Sequence, residues 1–210
     1  MEDATVGKWR KGPGTDFFAA LKKELKSLPF IAEDLGIITP EVTSLRLSAG
    51  LPGMKILQFA FDDSTNNSYL PHNYEKNCVV YTGTHDNDTT RGWYESAPEY
   101  SRDYMRRYMN TDGNSPEWDL IRLAYSSCAD TAIFPLQDIL SLPSQARMNT
   151  PGTQSGNWLW RFRADDLNDE YSQRLLYLNR IFKRNIQATA TADDFADEQD
   201  RGKPEKNTQE

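Results

Sequence analysis

The sequence predicts an α/β protein built on a parallel sheet with helices outside it. Three observations predict that class. Short apolar runs of strand length recur along the 210 residues. Segments with helical periodicity separate most of them, as in βα units. Glycine and proline mark many of the boundaries.

Each element follows in order. Thr15 to Lys26 reads TDFFAALKKELK, with Phe17, Phe18, Leu21 and Leu25 on one face. Pro13 and Gly14 set its start, and Thr15 or Asp16 can cap it. PFIAE, ending at Glu33, reads as the first strand. The next helix takes Thr39 as N-cap, Pro40 at the first helical position and Gly50 at its end. MKILQFAF (Met54 to Phe61) is the second strand, followed by a polar loop. CVVYTGT (Cys78 to Thr84) is the third. Helices near Glu99 to Met109 and Pro116 to Ala129 come next. DTAIFPLQD (Asp130 to Asp138) is a short fourth strand that Pro135 ends. A long polar loop then leads to a last helix near Glu170 to Phe182. An open doubly wound sheet and a (β/α) barrel both fit this order. In both, functional groups collect at the carboxyl ends of the strands.

Charge and composition exclude several function classes. The net charge is −7, and from Asp193 to Glu210 seven acids face three bases. Residues 187–210 therefore read as a solvated, disordered acidic tail. An acidic chain without a basic stripe argues against nucleic-acid binding. No run approaches the ~18 apolar residues of a membrane span, and no leader has an apolar core. Cys78 and Cys128 belong to no CxxC or Cys/His pair, so no metal site is expected. Both read as buried free thiols, which suits a reducing compartment. No Gly-rich phosphate loop and no GxSxG elbow is present.

Polar residues gather after each predicted strand: Glu33 and Asp34, then Lys55, Gln58, Asp62 and Asp63, then GTHDNDTTRGW (Gly83 to Trp93), then Gln137, Asp138, Arg147, Asn149, Asn157 and Trp158. Glu33 and Asp86 are carboxylates on the ends of different strands. Cleavage of a glycosidic bond uses that arrangement: a protonated acid for the leaving oxygen and an ionised group beside the oxocarbenium-like centre. Glu33 closes an apolar run, and partial desolvation there would keep it protonated. A strand-end Glu paired to an Arg, or capping the following helix, is the plainer alternative. Asp34 reads as a supporting partner or a turn residue held by backbone amides. His85 and Asp86 can hydrogen-bond and orient a sugar, or they form an Asx turn. A calcium loop fails, because its sixth position would be Arg91 and its twelfth Ala97. His72 receives no role.

Longer motifs then narrow the reading. GKWRKGPG, IAEDLGIITPEV, GLPGMKILQFAF, LPHNY, VVYTGTHDNDTTRGWY, ARMNTPG and SGNWLWR occur in this order between Gly7 and Arg161. Together they closely resemble the carboxyl-terminal part of the 4-α-glucanotransferases, the amylomaltase or disproportionating-enzyme family. The resemblance implies the second half of an α-amylase-type (β/α)8 barrel over residues 1–186, with about four parallel strands. It implies retaining transfer of α-1,4-glucan segments between maltooligosaccharides, without a cofactor. Glu33 would be the general acid/base and Asp86 the transition-state stabiliser. His85 and Asn149 would contact substrate. The family's nucleophile stands in an RIDH-like motif that this sequence lacks. The chain then reads as a fragment whose partner is the other half of the barrel or a second copy of itself. Its compartment would be the cytoplasm, or a plastid in a plant or alga. A non-catalytic glucan-binding remnant and an α-glucan hydrolase are the competing readings.

Overall fold

A computed structural model of the chain describes residues 7, 10–62, 64 and 66–184. The acidic tail at 187–210 lies outside the described residues. The chain divides into two compact units, Met1–Trp160 and Arg161–Glu210.

The first unit opens with two helices that bury none of their residues, α1 (Thr15–Leu25) and α2 (Pro40–Ser48). Gly14, not Thr15 or Asp16, is the N-cap of α1, because the chain enters the helix through a positive φ of 57°. Thr39 and Pro40 start α2 as the sequence predicts. β1 (Gly53–Ile56) and β2 (Cys78–Tyr81) follow. Then come α3 (Thr90–Ser96), α4 (Glu99–Met109) and α5 (Pro116–Ser126). β3 (Thr131–Ile133) and the short α6 (Leu136–Ile139) follow in turn. In the second unit Asn168 caps α7 (Asp169–Ile181), its side chain accepting from the Tyr171 N–H.

The sheet has three strands, all parallel, in the order β1-β2-β3. The sequence predicts about four, and the difference lies at Pro29–Glu33. That segment runs without strand structure, and its Ala32 N–H donates to Pro52 O at 2.9 Å. A strand needs a ladder of such bonds, and the described residues provide no second partner on its other side. Its apolar side chains are accordingly open: Phe30 is 41% exposed and Ile31 45%, and Ile37 just beyond it is 100% exposed. The second predicted strand is also shorter than its apolar run. Backbone pairing stops at Ile56 and Leu57–Phe59 turns into a 3-10 helix.

Period-two alternation divides the sheet into two working faces. Ile56, Tyr81 and Ile133 lie in register across the three strands. Val80, between them on the other face, joins Leu57, Phe61, Leu70, Met105, Leu120 and Ala124 in the main core. The apolar stripe of α5 (Trp118, Leu120, Ile121, Ala124 and Tyr125) is buried. Removing Leu120 and Ile121 from water contributes about 1.5–3 kcal/mol each. The core therefore sits behind the sheet, and the opposite face is left for a cleft.

The two thiols differ. Cys78 is buried and its pKa is pushed up to about 11, chiefly by desolvation. Cys128 is exposed, contrary to the prediction, because α5 ends two residues before it. Ellman's reagent should therefore titrate one thiol rapidly in the native chain and two after denaturation. Two fast thiols in the native chain would contradict this packing.

Candidate active site

A cleft of about 850 Å³ opens where β2 and β3 end. Its floor carries Met54, Tyr81 and Ile133 from one face of the sheet. Glu33, Gly83–Thr89 and Gln137 bring polar groups to it, and Arg147, Met148 and Trp158 close one wall. Glu33 and Asp86, distant in sequence, thus line one cleft.

Asp34 fixes the segment that carries Glu33. Its Oδ1 accepts from Met54 N–H at 2.7 Å, and its Oδ2 lies 3.1 Å from Arg46 Nε, an ion pair more than an aligned hydrogen bond. Arg46 also donates to Leu51 O at 3.1 Å. The carboxylate sits so close to Gly53 that an added Cβ would lie 2.9 Å from Asp34 Cγ. Asp34 is thus held by a backbone amide, one of the two alternatives the sequence offers, and its charge partner is Arg46. Glu33 itself is exposed, so the desolvation expected of it is not provided by the described residues.

Asp86 is clamped from three sides. Asn149 Nδ2 donates to its Oδ1 at 2.6 Å, and His85 Nε2 lies 3.3 Å from the same oxygen. Arg147 Nη2 donates to the Asp86 carbonyl at 2.6 Å. The backbone of Asn149 donates to His85 O at 3.0 Å, tying the two loops together. The turn itself is built by its neighbours: Thr84 Oγ1 accepts from Asp86 N–H at 3.3 Å, and Asn87 Oδ1 accepts from Thr84 N–H and Thr84 Oγ1, both at 2.9 Å. Asp86 Oδ1 thus faces Asn149 and His85, and that carboxylate lines the cleft.

The loop runs directly into α3, a helix that the sequence does not predict. Thr89 caps it, its hydroxyl accepting from Gly92 N–H at 3.1 Å. An added Cβ on Gly92 would lie 2.9 Å from Asp88 Cγ, so only glycine lets helix and loop approach this closely. Behind the loop, Gln58 Nε2 donates to Asp88 O at 2.9 Å. Asp138, 1% exposed, accepts from Thr90 N–H at 2.7 Å and from the hydroxyls of Thr82 and Thr90. Burial pushes the Asp138 carboxyl up, against these hydrogen bonds, which pull it down. Gln58 and Asp138, polar candidates from the sequence, thus support the site from behind.

Other candidates lie elsewhere. Lys55 is on the opposite face of β1, its ammonium 5.7 Å from the Tyr69 ring and 5.9 Å from the Tyr74 ring. Asp62 accepts from Ser64 and Asn67 beside a second hollow. His72 pairs with the Tyr108 hydroxyl at 2.9 Å. No group of three or more potential metal ligands occurs among the described residues.

Comparison with known proteins decides the family. A family profile described as 4-alpha-glucanotransferase, Glyco_hydro_77, matches residues 1–168. The chain belongs to the 4-alpha-glucanotransferase family. A 4-alpha-glucanotransferase of Synechocystis sp. is 52% identical over 189 residues, covering 89% of this chain and 37% of that relative. One from Thermus thermophilus is 48% identical over 180 residues, covering 82% of this chain and 36% of that relative. Among solved structures, amylomaltase from Streptococcus agalactiae in complex with acarbose superposes with a TM-score of 0.80 at 39% identity. That match covers 85% of this chain and 37% of the other. The chain thus spans little more than a third of the length of these 4-alpha-glucanotransferases. The fold of these structural neighbours is a TIM barrel, and a three-stranded parallel sheet with outer helices is compatible with part of one.

Arg147 and Trp158 are among the candidates that the sequence offers after the fourth strand, but their contacts in the site are not legible there. Arg147 joins the Asp86 and Asn149 loops through its guanidinium, donating to Asn149 O at 2.8 Å as well. Trp158 stands over His85, with ring centroids 5.0 Å apart. Arg147 is near Asn149 in sequence, which was a usable signal. The Trp158 contact spans 73 positions, and no spacing rule reports it.

Proposed function

We propose that this chain supplies the acid/base half of a site that transfers α-1,4-glucan segments with retention of configuration. Glu33 protonates the leaving glycosidic oxygen and later deprotonates the incoming acceptor hydroxyl. Asp86, held by Asn149 and His85, stabilises positive charge on the distorted ring. His85 and Asn149 also contact sugar hydroxyls. The observation that carries this reading is that Glu33 and Asp86 line one cleft of about 850 Å³, room for a short oligosaccharide.

In this reading residues 1–186 form part of a (β/α)8 barrel, its second half, and the nucleophilic carboxylate lies outside these 210 residues. The edge of β3, which pairs with no further strand among the described residues, and the exposed Phe30, Ile31 and Ile37 support an interface there. The partner is the remainder of the barrel or a second copy of the chain. The substrate is an α-1,4-glucan or maltooligosaccharide, in the cytoplasm or a plastid. No described helix is long and apolar enough to cross a membrane.

Calorimetric titration with acarbose tests the reading. The full chain should bind it, and Asp86→Ala should weaken binding about tenfold or more. A chain that binds no acarbose, or an Asp86→Ala variant that binds equally well, would overturn it.

A further inference from the structure

We propose that Trp158 is a specificity-determining wall of the cleft, on which the apolar C–H face of one glucose ring stacks. The inference rests on the glucan reading above and adds a residue to it. Trp158 lines the cleft and keeps 52% of its surface exposed. Its ring lies 5.0 Å from that of His85, tilted by 37°. Its backbone N–H donates to Met148 O at 2.7 Å, which ties it to the loop that clamps Asp86. An indole that shares the cleft with His85 and Asp86 sets a flat apolar surface next to polar groups. A pyranose presents the matching pair, an apolar face and a rim of hydroxyls. Tryptophan is suited to this work because it offers a large rigid surface with few rotatable bonds.

The backbone supplies an independent argument. Trp158 has φ +62°, in the left-handed region where a bulky side chain is a real outlier. The same loop places glycine at its two other positive-φ positions, Gly152 at +80° and Gly156 at +83°. Position 158 alone retains a large ring where glycine would be relaxed. Strain of this kind persists when surrounding contacts over-determine the conformation, and it clusters at ligand clamps.

The backbone also provides the test. Glycine adopts φ +62° freely, so Trp158→Gly should remove the ring without disturbing the loop. Thermal melting and titration with maltoheptaose are measured on the full chain. The variant should melt at or above the wild-type temperature and bind roughly tenfold more weakly, and Trp158→Phe should recover part of the loss. A variant that binds as tightly as the wild type overturns the proposal. So does a clear fall in melting temperature, which would make the ring a packing element. A wild-type chain that binds neither acarbose nor maltoheptaose instead removes the glucan reading, and this inference with it.

Discussion

Incubated alone with maltotriose, the chain should leave the sugar unchanged. A retaining transfer passes through a covalent glycosyl intermediate, and this reading places the nucleophile outside these 210 residues. Assembly with the part of a relative that this chain does not match should restore shorter and longer maltooligosaccharides, read by chromatography. In that assembly Glu33→Gln should slow transfer by about a hundred- to ten-thousandfold, the usual contribution of a positioned acid/base. The amide has nearly the same shape as the carboxylic acid but cannot deliver a proton. A maltosyl fluoride donor separates that role from binding, because fluoride leaves without a proton. With it, the first step should proceed in Glu33→Gln while attack by the acceptor hydroxyl remains slow. Products from the isolated chain would refute the placement of the nucleophile. An unaltered rate in Glu33→Gln would refute the assignment of the acid.

Much of the site was legible because local chemistry announces it. Two acids after an apolar run, and HDND after another, mark strand ends, and strand ends are where parallel sheets gather function. The helix at Pro40 was legible from its Thr39 cap and first-turn proline. The first strand was misread for a physical reason. FIA has the composition of a strand, but strand structure is a property of pairs, and one bond to Pro52 is not a ladder. α3 was missed because HDNDTT has the composition of a turn. The helix there begins with the Thr89 cap and depends on a glycine that tolerates Asp88 at close range. The helical pattern near Pro116 to Ala129 puts Cys128 inside, whereas the helix stops at Ser126 and leaves it exposed. The exposure of Glu33 could not be read from its neighbours in sequence, because burial depends on what packs over the segment from afar.

The largest stability effect should come from Asp138. Its carboxylate gathers Thr82 Oγ1, Thr90 Oγ1 and Thr90 N–H, all from fully buried residues. Asp138→Ala leaves three buried donors without an acceptor, each costing about 1–3 kcal/mol. A loss of about 3–5 kcal/mol follows, a large share of the ~5–15 kcal/mol typical of a domain. Asp138→Asn keeps one acceptor oxygen and the shape, and should lose about 1 kcal/mol. The pH dependence gives a second readout with a definite sign. Burial, helped by the nearby Glu117, holds the folded-state pKa of Asp138 above its ordinary value. The folded chain therefore binds this proton more tightly than the unfolded chain does. The stabilisation is complete below about pH 4 and is lost as pH rises through the folded-state value. Urea unfolding from pH 4 upward should show stability from this residue falling in the wild type, and Asp138→Asn should flatten that component. Glu117 also faces this carboxyl, and its own ion pair with Arg91 at 2.8 Å is left intact by the substitution. A variant with the wild-type slope would show that Asp138 is already ionised in its pocket. Asp138→Ala at wild-type stability would show that the threonine donors find other partners, and the support behind the Asp86 loop would have to be sought elsewhere.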